Sequence, residues 1–211
     1  LGYAGDFEMM NIIYRNAFEG EDVFSQVMNK VDCEGIAARA VRNRRAYLHH
    51  KLQDAVSANT SGADLKFVSI ACGPAHEFSD LVRGLQGKEL PFSIEFVGMD
   101  QDKLALDNAR ERIELALRDT PRVRATFEQD NIKRLIVEKS TAGGMYDNAQ
   151  VVYTAGLFDY LSDRASNRLI QKLYGFLRPG GLLIVGNFGT YNPQRFIMEY
   201  DRQAVGGRTH V

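Results

Sequence analysis

From residue 65 onward the chain alternates short apolar runs with amphipathic segments, and this alternation restricts the fold more than any other feature of the sequence. Leu65 to Ala71 reads as a buried strand ending at Cys72-Gly73-Pro74, and Glu77 to Leu85 as the helix that follows. Ile94 to Met99 is a second strand, closed by Asp100. Asp102 to Leu117 carries Leu104, Leu106, Ala109, Ile113, Ala116 and Leu117 at helical spacing. Val123 to Phe127 is a third strand, followed by a short helix from Asn131 to Val137. Asn148 to Tyr153 is the fourth strand, Arg164 to Leu177 a helix, and Leu182 to Asn187 a fifth strand after the turn Pro179-Gly180-Gly181. Strands separated by helices imply right-handed βαβ units, so the expected class is α/β: a doubly wound, Rossmann-like, mostly parallel sheet covered on both faces.

Residues 1–60 have helical periodicity and no convincing strand. Phe7, Met10, Tyr14 and Phe18 form one apolar stripe, and Glu19-Gly20-Glu21-Asp22 breaks that helix before Val23, Phe24, Val27 and Met28 begin another. A third helix covers Ile36 to Val56 and ends at Asn59-Thr60-Ser61-Gly62. The expected organisation is a helical cap or lid over 1–60 and a sheet domain over 61–211. After the fifth strand only Pro193 to Tyr200 reads as helix, so the sheet is expected to be incomplete at its carboxyl end. Leu1 in place of Met suggests a portion of something longer.

With 26 basic and 27 acidic side chains the net charge is −1, which argues against nucleic acid as a partner. The short run Arg42, Arg44, Arg45 reads as a solvated helix face, with a local patch for an anionic ligand as the alternative. Cys33 and Cys72 make no Cys-x-x-Cys pair, so neither zinc nor a disulfide framework is indicated, and Cys72 is expected to be a small buried filler. No apolar run approaches the roughly 18 residues of a membrane helix and no signal peptide is visible, so the cytoplasm is the expected compartment.

In doubly wound sheets ligands bind beyond the carboxyl ends of the strands, at the switch point of the topology. Gly73 lets the backbone of the first turn approach a ligand, but the fuller G-x-G-x-x-G of a dinucleotide site is missing. Asp100 ends the second strand, where a carboxylate can accept both ribose hydroxyls of a nucleoside lying across that turn. Capping of the following helix is the competing reading, although Asp102 can serve there instead. Asp130, just past the third strand, can accept an adenine exocyclic amine while Asn131 or Ile132 packs the ring. Here too a helix cap is the alternative, and the two roles can coexist.

Five features stand in order: Ile70-Ala71-Cys72-Gly73-Pro74, Val97-Gly98-Met99-Asp100, Gln129-Asp130-Asn131, Val151-Val152-Tyr153-Thr154-Ala155-Gly156 and Leu177-Arg178-Pro179-Gly180-Gly181. Residues 65–190 thereby resemble the class I S-adenosylmethionine-dependent methyltransferases. The resemblance implies S-adenosylmethionine as cofactor and S-adenosylhomocysteine as product. It implies a cofactor site from Ala71, Cys72, Gly73, Asp100, Gln101, Asp130, Asn131, Ala155 and Gly156. Ser69 departs from the pattern, since the family often has an acid there, and Ala75 replaces a glycine. The methionine amino group is therefore assigned only loosely, to the Ala71–Gly73 backbone.

A narrower resemblance rests on Gly2-Tyr3-Ala4-Gly5-Asp6-Phe7-Glu8-Met9-Met10, Ala40-Val41-Arg42-Asn43-Arg44, Ala155-Gly156-Leu157-Phe158-Asp159-Tyr160-Leu161, Asn192-Pro193-Gln194-Arg195 and Met198-Glu199-Tyr200. These look like bacterial proteins of 3-hydroxypalmitic acid methyl ester biosynthesis. That group implies O-methylation of a fatty-acid carboxylate and an additional upstream regulatory domain in some relatives; a homo-oligomer is left open by the sequence. Amino-methylating DNA enzymes have Asn/Asp-Pro-Pro-Tyr/Phe where this chain has Ala155-Gly156-Leu157-Phe158. A catechol-type Mg²⁺ site needs several hard oxygen ligands, and Asp159 and Asp163 find no third acid. The adjacent His49 and His50 cannot share a helix face, so no metal is expected.

A carboxylate acceptor is already ionised at neutral pH, with a pKa of about 4, and needs no general base. A dry, apolar site favours its reaction with a sulfonium. Phe158 and Tyr160 are the expected walls near the methyl group. Tyr14, Arg15, Arg44 and Tyr191 are the candidates to orient the carboxylate, with arginine the best geometric match. Core packing is an equally good role for Tyr14.

Overall fold

The computed structural model describes residues 7–137 and 144–189. The described chain divides into two compact units, one built on residues up to Arg45 and the other spanning Ala46–Asn187.

In the larger unit five strands, β1 (Leu65–Ile70), β2 (Ile94–Asp100), β3 (Val123–Gln129), β4 (Ala149–Ala155) and β5 (Leu177–Gly186), form one sheet in the order β3-β2-β1-β4-β5. All four pairings are parallel. The chain winds outward from β1 through β2 to β3, then returns to the other side of β1 for β4 and β5. The switch point therefore lies between β1 and β4.

Alternation along each strand sends side chains to two separate cores. Leu65 and Phe67 of β1, Ile94 and Phe96 of β2, and Val151 and Tyr153 of β4 face α4 (His76–Leu85), α5 (Lys103–Leu117) and the end of α3 (Ile36–Ser57). There Phe78 stacks on Phe96 with ring centroids 4.2 Å apart. Val68, Ile70, Val97, Met99 and Val152 face the other way, against Leu135 of α6 (Ile132–Ile136) and Leu169 and Leu173 of α7 (Asp163–Gly175). Leu48 and Leu52 belong to the first core, so the change of unit falls inside α3, before the loop at 59–62.

β5 begins five residues earlier than its apolar run suggests. Leu177 pairs with Ala149 and Leu182 with Val151, so Pro179-Gly180-Gly181 is an irregularity inside the strand and not a turn before it. Gly180 takes φ 75°, and a Cβ on Gly181 would lie 2.9 Å from the Ala149 carbonyl oxygen. A close backbone approach, not a reversal of chain direction, explains the glycine pair.

The smaller unit contains α1 (Phe7–Arg15), α2 (Val23–Glu34) and the first part of α3. Asp22 caps α2, exchanging hydrogen bonds with Ser25 in a capping box. α1 stops at Arg15 because Asn16 turns left-handed at φ 50°, which leaves Phe18 outside the helix and 65% exposed. The arginine run is less solvated than its sequence suggests. Arg42 donates to the Ile13 carbonyl and pairs with Glu34 at 3.6 Å, and the Arg45 guanidinium lies 5.0 Å from the Tyr14 ring centre. No helix among the described residues is long and apolar enough to cross a membrane.

Candidate functional site at the carboxyl edge of the sheet

Because all five strands are parallel, the residues following β1, β2, β3 and β4 share one edge. The turn after β1 is unusual in its backbone. Ala71, Gly73 and Ala75 all adopt left-handed φ, at 54°, 51° and 46°. Such a conformation costs an alanine about 1–2 kcal/mol, so the surrounding bonds must hold it. The Cys72 amide donates to the Met99 carbonyl at 2.9 Å and the Gly73 amide to Asp100 Oδ2 at 2.9 Å. Beyond Gly73 and its two chain neighbours, no described atom lies within 4 Å of the place a Cβ on Gly73 would occupy.

Asp100 is the knot of this edge. Its Oδ1 accepts the Asp102 amide at 3.0 Å, while its backbone carbonyl accepts the Asp130 amide at 3.1 Å. Burial raises its carboxyl above the usual aspartate range, opposed by the amides of Asp102 and Gly73. The cap of α5 is Asp102, whose Oδ1 accepts the Leu104 amide at 2.9 Å. Asp100 is thus released from that duty.

Asp130 follows β3 and is 4% exposed. Its Oδ1 accepts the Asn131 amide at 2.8 Å and faces Arg134 at 3.5 Å, whereas its buried Oδ2 has no hydrogen-bond partner among the described residues. Asn131 caps α6 through its side chain, which accepts the Arg134 amide. Gln101 is exposed, with its carbonyl bound by Gln129 at 3.2 Å. Ala155 ends β4, and Gly156 follows with φ 80°, its amide donating to the Gly186 carbonyl at 2.7 Å. Phe158 and Tyr160 lie on a single 3-10 turn after β4, a helical turn that periodicity did not foretell. Phe158 packs against the second core and Tyr160 is 54% exposed.

Tyr14, Arg15 and Arg44 belong to the smaller unit. Arg15 is paired with Glu19 at 2.6 Å, and the Arg44 Nε is buried without a hydrogen-bond partner among the described residues. Tyr191 lies outside the described residues. Among the described residues no group of three histidine, cysteine or acidic side chains could hold a metal ion. An open polar hollow lined by Thr60, Ser61, Gln150 and Arg178 sits at the amino ends of β1, β4 and β5, away from the edge described above.

Sequence reasoning missed one cluster. Tyr153 on β4 donates its hydroxyl to Glu77 Oε1 at 2.7 Å and is also hydrogen-bonded to Ser69 on β1. All three side chains are buried. The available signals were a tyrosine in a buried strand and an acid two residues past the turn. Cys72 nearby is buried, and its thiol is pushed well above the usual range by burial, then by the charges of Asp100 and Glu77.

Sheet order, switch point and glycine-containing first turn define the Rossmann-like fold of class I methyltransferases. The CurJ carbon methyltransferase superposes with a TM-score of 0.55 at 14% identity over 78% of this chain and 40% of that one. The methylating domain of the citrinin polyketide synthase gives 0.52 at 14% identity over 75% and 38%. A methyltransferase from Thiobacillus denitrificans, solved with S-adenosyl-L-homocysteine, gives 0.41 at 17% identity over 65% and 47%. This chain therefore spans less than half the length of each of these structures. A search of curated proteins finds no significant match. The profile of a family described as "Putative methyltransferase" matches residues 2–195, and the chain belongs to that family.

Proposed function

We propose that the chain binds S-adenosylmethionine across the Ala71–Ala75 turn and transfers its methyl group to a carboxylate, that of a medium- or long-chain 3-hydroxylated fatty acid. The observation that carries the cofactor assignment is the pairing of open space over Gly73 with acceptors on either side. The Asp100 carboxylate is held by the Gly73 and Asp102 amides and, as an ionised acceptor with several lone pairs, can still receive ribose hydroxyls. The Asp130 Oδ2, without a hydrogen-bond partner among the described residues, suits the exocyclic amine of adenine, with Asn131 and Gln101 beside the ring. The backbone of Ala71 to Gly73 takes the methionyl end, and Ala155 and Gly156 border the reacting centre.

The cofactor supplies an electrophilic methyl group on a sulfonium. The work of the protein is orientation, and near-attack positioning can contribute about 7–11 kcal/mol to such a step. Phe158 and Tyr160 keep water from the acceptor. Arg44, with Tyr14, Arg15 and Tyr191 as the other candidates, is the proposed holder of the carboxylate, because a guanidinium fork matches it with two hydrogen bonds. The fatty-acid acceptor itself rests on the resemblance in residues 2–10, 40–44 and 155–161 and on the apolar character of the amino-terminal helices.

Calorimetry with S-adenosylmethionine, S-adenosylhomocysteine and NAD tests the cofactor: binding of the first two and not the third is expected. Mass spectrometry after incubation with a ladder of free and 3-hydroxy fatty acids tests the acceptor. Methyl esters should appear with affinity rising by about 0.8 kcal/mol per buried methylene. Arg44→Ala should impair ester formation more than Arg44→Lys, which keeps the charge but not the fork. Methylation of an amine or a phenol with no ester at any length would exclude the fatty acid and leave the methyltransferase reading intact.

A further inference from the structure

We propose that Glu77 gives the cofactor site its preference for a positively charged ligand, its buried carboxylate being oriented by Tyr153. The inference rests on the S-adenosylmethionine reading above. Glu77 stands in the first turn of α4, two residues beyond Ala75, and is 6% exposed. Tyr153 Oη donates to it at 2.7 Å from the strand on the other side of the switch point, and Ser69 on β1 is hydrogen-bonded to the same phenol. Burial, then the neighbouring Glu77 charge, pushes the Tyr153 hydroxyl well above the usual tyrosine range, so it remains a donor.

The turn is thus flanked by two carboxylates. Asp100 holds the Gly73 amide, and Glu77 is held from β4. Cys72, the residue between Ala71 and Gly73, has its thiol pushed up by burial first and then by the Asp100 and Glu77 charges. In a poorly solvated interior a charge acts over several ångströms without contact. S-adenosylmethionine and S-adenosylhomocysteine share adenosine and a zwitterionic amino acid and differ by the sulfonium charge. A carboxylate working through its field separates the two ligands; one that only braces the fold weakens both alike. Position 69 offers a hydroxyl and no charge, so in this chain the charge behind the turn comes from α4 instead of β1.

Titration calorimetry on Glu77→Gln decides the matter with three ligands of one shape. These are S-adenosylmethionine, sinefungin, which has an ammonium in place of the sulfonium, and neutral S-adenosylhomocysteine. The two cations should bind about tenfold more weakly than to the parent, and S-adenosylhomocysteine within about twofold. Tyr153→Phe, which leaves the carboxylate but removes its donor, should show the same ranking with smaller losses, and it decides the outcome if Glu77→Gln does not fold. Equal losses for all three ligands, or none for any, would overturn the inference. A parent protein that binds none of the three would overturn the cofactor reading and this inference with it.

Discussion

In the sheet unit Phe67, Phe78 and Phe96 are fully buried and in ring contact, whereas in the helical unit Phe18, Val23, Phe24 and Val31 are more than half exposed. The first unit is held by apolar burial. The second is laced by polar side chains reaching backbone carbonyls: Asn29 to Ala17, Lys30 to Asn16 and Arg42 to Ile13. The contrast matches two tasks. The site proposed for the cofactor uses a backbone turn held in a strained shape by a rigid core, at Ala71 to Ala75. A unit that keeps its large apolar side chains out of its own core has more latitude to vary in sequence without loss of fold.

The contrast breaks or survives first on stability. Phe78→Ala removes the ring stacked on Phe96 and should cost about 3–5 kcal/mol in urea denaturation. Phe24→Ala, at a side chain 75% exposed, should stay within about 0.5 kcal/mol. Similar costs at the two sites would mean that the helical unit has a core of its own.

Next comes ligand affinity. Asp100→Ala should weaken S-adenosylhomocysteine by about 1.5–3 kcal/mol, ten- to over a hundred-fold, since it removes ribose acceptors and frees the Gly73 amide. Unchanged affinity in a folded variant would remove Asp100 from the site.

The pH dependence of the same residue sharpens the point. Burial raises the Asp100 carboxyl in the folded state, so on acidification it takes up its proton before an ordinary aspartate would. S-adenosylhomocysteine affinity should therefore begin to fall at a pH above the usual carboxylate range. For folding the sign is reversed: as pH rises from the unfolded to the folded pKa, the unfolded chain loses its proton first and this residue's contribution to stability declines. Asp100→Asn should flatten both profiles, and profiles unaltered in that variant would assign them to another group.

The smallest effect concerns strain. Ala71→Gly relieves a left-handed alanine at φ 54° but enlarges the freedom of the unfolded chain, so a net gain below about 1 kcal/mol is expected, seen as a slightly raised Tm. A lowered Tm would show that the Ala71 methyl contributes more through packing than its backbone costs.

Much of this architecture was legible before any coordinates. Strands β1 to β4 and helices α2 to α5 fall within a few residues of their expected limits, because apolar spacing and caps such as Asp22 and Asp102 are local signals. The start of β5 was not, since Leu177 joins the sheet only by pairing with Ala149 across an irregular register. Neither was the left-handed pair Ala71 and Ala75, where alanine conceals what glycine would have announced.

By itself the sequence determined the order of strands and helices, and with it the edge on which Gly73, Asp100 and Asp130 gather. Hydrophobic period and chain direction leave few ways to wind a parallel sheet. Only the tertiary structure decided what those residues touch. Asp100 reaches Gly73 across 27 positions and Tyr153 reaches Glu77 across 76. A hydrogen bond depends on a few tenths of an ångström and on angle, and no pattern of neighbours along the chain carries that information.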